Sequence, residues 1–138
     1  MAHTPEPDPA TVRAVGKVTE ALEVVEQARG HLYAFHRLTG TADFTVEEAA
    51  TLLREAGHAD LAARLDRELV GRNVLPGRWT YQVVEDYEDT YYDPFRELAA
   101  RARALTPGQR HAHEAELKRT RRTPGMPGHE AEPADVAG

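Results

Sequence analysis

Residues 79–95 read WTYQVVEDYEDTYYDPF, which holds six of the chain's nine aromatic residues, five carboxylates and no lysine, arginine or histidine. Thr80 reads as a helix N-cap, with Trp79 just before it placed to pack on Val84 as a hydrophobic staple. From there Val84, Tyr87, Tyr91, Phe95 or Pro94, Leu98, Ala102 and Leu105 recur at alternating helical spacings, the apolar stripe of a long helix. Asp93-Pro94 falls inside this run. Proline removes one helical hydrogen bond and crowds the preceding turn, so a kink or a tight restart is expected there, with the stripe continuing in phase.

Working outward, helix signals recur and no strand pattern does. Asp8 before Pro9 is an N-cap with proline at the first helical position, and Gly40 stands where a left-handed residue would stop a helix. Along that predicted first helix Ala14, Val18, Ala21, Val25, Ala28, Leu32 and Phe35 form a seam, widened by Val15, Leu22 and Leu38. One alanine per heptad makes it a close-packing face for a long antiparallel neighbour. Thr45 with Glu48 reads as a capping box for a short second helix ending at Gly57. Residues 58–70 (HADLAARLDRELV) predict a third, with Leu61, Leu65 and Leu69 in register and Gly71 as its stop. The Pro-Gly of residues 72–78 is a turn. Thr106-Pro107 with Gln109 predicts the start of a last helix that ends near Arg122 in the basic run KRTRR. The expected fold is all-α: a single-domain helical bundle over 8–122, with two long antiparallel helices and a short helical hairpin. Residues 1–7 and the Pro/Gly-rich tail 123–138 are expected to be disordered.

A chain of 138 residues suits one domain. No apolar run approaches the ~20 residues of a membrane span, and the N-terminus has no basic start or apolar stretch, so a cytoplasmic protein without a membrane segment is expected. The absence of cysteine excludes thiol catalysis, disulfides and thiolate metal sites, and the chain contains no serine. No phosphate loop or dinucleotide fingerprint occurs. The net charge of −6 argues against a general nucleic-acid binder. Its distribution is uneven: residues 80–95 carry five acids and no base, whereas residues 96–122 carry eight Arg/Lys against three Glu. The two segments are expected to face each other within the fold or across a homodimer, and the alternative is that Lys118, Arg119, Arg121 and Arg122 form a basic patch for an acidic protein partner.

Candidate site residues come from the acidic-aromatic helix and the first one. Tyr81, Glu85, Glu88 and Tyr92 form a polar row beside the apolar stripe; Arg29 and His36 flank the first helix's seam, and Trp79 would stand at the mouth of a pocket built from them. A polar group beside a seam more often partners a buried hydroxyl or carboxylate than it catalyses. A carboxylate-bridged metal pair needs repeated Glu-x-x-His, and only Glu55 to His58 matches, across the glycine that ends its helix. No metal and no cofactor is assigned.

The segment FTVEEAATLLREAG resembles the opening of excisionase and MerR-type helix-turn-helix domains, in which a Thr-capped helix precedes the recognition helix. That resemblance implies a DNA-binding hairpin, but the following residues lack the polar turn such domains use. A longer block, GHADLAARLDRELVGRNVLPGRWTYQVVEDYEDTYYDPF, resembles small uncharacterised helical proteins of actinobacteria and implies no activity. The expected function is thus a non-catalytic interaction or regulatory module that self-associates. A ligand- or metal-binding bundle is the alternative, and a helix-turn-helix-like DNA binder the third reading.

Overall fold

The computed structural model describes residues 8–107 and 111–134. Among them the chain is all helical: α1 Pro9–Glu55, α2 Ala59–Glu68, α3 Thr80–Tyr87, a π-helical turn Glu88–Tyr92, α4 Asp93–Arg103 and α5 Ala112–Arg121. No described helix is long and apolar enough to cross a membrane. The N-terminal segment 1–7 lies outside the described residues, as do 108–110, on which the predicted start of the last helix falls; α5 begins at Ala112.

Asp8 opens α1 as expected. Its Oδ1 accepts the Thr11 N–H at 2.9 Å and its Oδ2 the Thr11 hydroxyl at 2.9 Å, and these bonds hold its carboxyl below the usual range. The helix does not stop at Gly40, which has no left-handed backbone and open space where a side chain would go. Nor does Thr45 cap a new helix: its hydroxyl donates to the Thr41 carbonyl at 2.8 Å, one turn back within α1. The expected second helix is therefore the last third of α1. A true stop comes at Gly57, at φ 93°, where Gly57 N–H bonds Arg54 O at 3.1 Å and His58 N–H bonds Leu53 O at 2.8 Å. That pair of bonds is a Schellman cap, which needs a residue free to adopt positive φ. At the Pro76-Gly77 turn, Arg78 N–H returns to Leu75 O at 2.9 Å with Gly77 at φ 69°, the geometry of a type II turn.

The less exposed face of α1 has a strict seven-residue repeat. Val15, Leu22, Arg29, His36, Asp43 and Ala50 mark one line and Val18, Val25, Leu32, Thr39, Val46 and Leu53 the other, all buried or half-buried. Such a repeat is the seam of helices packed knobs-into-holes. It shares Val18, Val25 and Leu32 with the predicted seam but lies one residue further on, leaving Ala14, Ala21, Ala28 and Phe35 exposed. Polar residues at 29, 36 and 43 hide the true face from a count of apolar side chains.

A similar slip of one residue occurs after Tyr87. The chain stays helical from Thr80 to Arg103, passing from α to π at Glu88 and back to α at Asp93. In front of Pro94 lies the π-helical turn, in which the Asp93 N–H bonds Glu88 O, five residues back. Proline's ring would otherwise press on the carbonyl of Thr90 and leave it without its helical donor; a wider turn just before it absorbs the conflict. A π turn contains one residue more than an α turn, which rotates everything beyond it by about 100°. Hence Tyr92, Ala99 and Thr106 are buried at 5%, 1% and 2% exposure, in place of the expected Tyr91, Leu98 and Leu105 at 50%, 64% and 61%.

By their internal contacts the residues divide into two compact units, Val25–Pro94 and the pairing of Met1–Val24 with Phe95–Gly138. In the first, Trp79 is itself the N-cap residue of α3, its N–H bonded to Gln82 Oε1 at 2.8 Å. Thr80, expected at the cap, is instead a buried first helical residue, and Trp79 is half exposed with its indole N–H on Gly71 O at 3.2 Å, so no staple onto Val84 forms. In the second unit, α5 approaches α1 at Gly16, where a Cβ would stand 2.7 Å from His113 Cβ. The residues after α5 form turns, with Thr123 N–H on His129 Nδ1 at 3.2 Å and Arg119 3.8 Å from Glu132.

Two glycines in one helix therefore have opposite roles. Gly40→Ala should stabilise the protein by about 0.5–1 kcal/mol, the ordinary helix gain. Gly16→Ala should destabilise it by about 1–2 kcal/mol, overpacking against His113 outweighing that gain. Urea denaturation of both variants checks the pair; a loss on Gly40→Ala would mean that the helix breaks there.

Candidate functional site

All seven predicted pocket residues lie in the unit Val25–Pro94, on α1 and the run from Trp79 to Tyr92. Arg29, on the seam, donates from Nε and Nη2 to Glu88 Oε1 at 3.1 and 3.0 Å. The Tyr33 hydroxyl donates to the same oxygen at 2.6 Å. The Arg29 guanidinium lies 4.4 Å from the Tyr92 ring centre and 5.2 Å from that of Tyr33, within the range of cation–π attraction. The Tyr92 hydroxyl donates to Glu26 Oε1 at 2.6 Å, and Glu26 lies 4.0 Å from Arg29. One heptad further along the seam, His36 Nδ1 and Thr80 Oγ1 are 2.7 Å apart. At the next heptad position Asp43 Oδ1 accepts the Gly71 N–H at 2.7 Å.

The electrostatics follow from these bonds. Glu88 is held below the usual carboxylate range, first by the Tyr33 hydroxyl and then by Arg29. Tyr33, donating to a carboxylate, is pushed up, and Arg29 is raised by Glu88. These bonds tie Arg29, Tyr33 and Glu88 into one polar network centred on Glu88 Oε1.

Of the predicted residues, the fold thus joins Arg29, Glu88 and Tyr92 in one network and places His36 on Thr80. Trp79 and Tyr81 meet each other edge to face at 6.5 Å between ring centres, both half exposed. Glu85 is exposed and joins none of these bonds. Among the described residues no group of three His, Asp or Glu could hold a metal ion. Sequence reading missed Tyr33, Glu26 and Asp43. The first two were signalled by their spacing from Arg29, one turn on either side of it; Asp43 was signalled by its place seven residues after His36. In the other unit, Arg119 of the predicted basic patch pairs with Glu116 at 3.2 Å and Glu132 at 3.8 Å, while Lys118, Arg121 and Arg122 border a concave surface shared with His129.

Comparison of the chain with models of known protein families, with curated proteins and with solved structures finds no match.

Two outcomes check the network. A group whose folded pKa is lowered contributes stability that is full above its unfolded value, about 4.3 for glutamate, and is lost as pH falls through the lowered folded value. Thermal melts should therefore fall on acidification below that point, and Glu88→Gln should lower the neutral-pH melt and flatten the acid dependence. Tyr92→Phe removes a hydroxyl bonded to a carboxylate and should cost about 1.5 kcal/mol, measured by urea denaturation.

Proposed function

We propose that the protein is a non-catalytic interaction module that self-associates through the exposed face of α1. One observation carries this: among the described residues, part of the stripe that reads in the sequence as a packing seam, Ala14, Ala21, Ala28, Phe35 and Leu38, is exposed. Ala28, Phe35, Leu38 and Leu52 are exposed on α1, next to a separate seam occupied by the chain's own contacts. A second copy is the natural occupant because the stripe has a self-complementary size pattern. About a two-fold axis near Tyr33, Leu38 of each copy faces Ala28 of the other, a large side chain over a small one, and the same patch serves both partners.

The finer architecture supports the same reading. As the α1 positions rise through Glu26, Arg29, His36 and Asp43, their partners fall through Tyr92, Glu88, Thr80 and Gly71. This favours the antiparallel pairing of two long helices that the sequence predicts. Of the groups first considered as a ligand pocket, Arg29, Glu88, Tyr92 and His36 are engaged in that pairing. Docking of an acidic protein on Lys118, Arg119, Arg121 and Arg122 is the second reading, favoured by the cationic end of α5, although Arg119 is already paired.

Sedimentation equilibrium tests the proposal. The wild type should be dimeric at micromolar concentration in both low and high salt, since the interface is apolar, and Leu38→Glu should be monomeric with an unchanged helix content. A strict monomer in low salt, or a dimer indifferent to Leu38→Glu, Phe35→Glu and their double variant, would remove it.

A further inference from the structure

We infer that the concave surface between the last turn of α5 and the turns after it binds a compact, multiply charged phosphate compound. The concavity has a volume of about 600 Å³. Lys118, Arg121, Arg122 and His129 border it, with Leu117 as its apolar wall and Glu114 as its one carboxylate among the described lining residues.

Two features make this more than a basic surface. The first is selective neutralisation. Arg119, on the same helix, is matched by Glu116 and Glu132, whereas Lys118, Arg121 and Arg122, which line the concavity, form no ion pair among the described residues. Glu130, whose carboxyl is bonded by the Gly128 N–H at 3.2 Å, acts on Lys118 only through space. Three cations against Glu114 leave the concavity with an excess of two positive charges. The second feature is an unmet donor. Arg122 gives Nη1 to the His129 carbonyl at 3.3 Å, but its Nε is buried with no acceptor. A buried guanidinium donor without a partner is disfavoured, so the Arg122 side chain gains an acceptor when it turns toward an oxyanion held in the concavity.

His129 adds to the same chemistry. Its Nδ1 accepts the Thr123 N–H at 3.2 Å, which places the ring proton of the neutral tautomer on Nε2 and makes that nitrogen a donor. The site thus presents donors alone apart from Glu114: two guanidinium forks, an ammonium and an imidazole. Forked guanidinium donors match the multiple oxygens of a phosphate better than a lone carboxylate does. The volume exceeds that of one phosphate, and the described lining holds no Phe, Tyr or Trp. Pyrophosphate or a compact phosphate ester fits these constraints. Because the site stands at the C-terminal end of α5, where the helix dipole repels anions, its affinity comes wholly from side chains.

Calorimetric titration of the full chain in low salt, with pyrophosphate, orthophosphate and acetate as probes, tests the inference. Pyrophosphate should bind saturably at one site, about tenfold or more tighter than orthophosphate, with acetate silent. Arg122→Lys keeps the charge but removes the Nε donor and should weaken pyrophosphate binding by about tenfold, while Arg119→Gln should leave it within about twofold. Amide shift mapping of the wild type gives a readout independent of any variant's folding, with changes expected at 118–123 and 128–130. No saturable binding, equal losses for Arg122→Lys and Arg119→Gln, shifts scattered over other cationic surfaces, or binding that appears only when the chain is cut after Ala134 would each overturn it.

Discussion

Arg29 brings a full positive charge to a half-buried seam, and the surrounding structure is arranged to make that tolerable. Two of its nitrogens share one oxygen of Glu88, its flat face lies over the rings of Tyr92 and Tyr33, and Glu26 stands one turn away. Removing a charge from water without such compensation costs several kcal/mol. Compensation here has a positional requirement: Glu88 and Tyr92 must both reach the same guanidinium. In a regular α-helix residues four apart lie on one face, but Pro94 just beyond them disturbs the last turn. The π-helical turn at Glu88–Tyr92 resolves both demands, sparing Pro94 its clash and turning Tyr92 rather than Tyr91 inward.

The polar positions on α1 also select the register. Arg29, His36 and Asp43 are spaced by heptads, and each meets a different kind of group: a carboxylate, a hydroxyl and a backbone N–H. Sliding the partner segment by one heptad would bring Arg29 to the place of Thr80 and leave a cation facing a hydroxyl. An apolar seam alone would tolerate such a slip at modest cost. Polar seam residues that fix alignment while adding little net stability are a known use of such groups in coiled coils, and here each has its own address.

Much of the helical content was legible because it rests on local chemistry. The Asp8-Pro9 start, the Gly57 stop and the Pro76-Gly77 turn each depend on a few neighbouring residues, and each stands where the sequence places it. What was not legible was rotation about the helix axis. Both seams were read one residue early, for two different reasons. On α1 the apolar alternative, Ala14, Ala21, Ala28 and Phe35, outscored a true line containing Arg29, His36 and Asp43, whose burial is sensible only once their partners are in place. Beyond Tyr87 the error came from assuming a constant period through a segment that carries an extra residue per turn. The candidate site inherited both slips. Glu88 and Tyr92 were named beside Glu85 as one row, yet the π turn separates the first two from the third. Gly40 and Thr45 were misread for a third reason, since their cap-forming chemistry is conditional: a long seam on both sides of Gly40 outweighs its local preference to end a helix.

The mistaken seam is nevertheless informative. An alanine once per heptad on an exposed face favours the helix and leaves room for close approach of another backbone. On α1 it stands beside a complete seam that already accounts for the packing of the helix. A 47-residue helix is about 70 Å long at 1.5 Å per residue, more than a chain of this size can cover on all sides. Such a helix stays ordered when its flanks are met either by its own chain or by a partner, because isolated helices owe little of their stability to propensity alone. Small residues at the exposed heptad positions allow close approach of another backbone, and Phe35 and Leu38 supply the side chains to fill the space that the alanines leave. The polar face holds the chain's own side-chain bonds, and the exposed apolar face is the surface on which the proposed self-association rests.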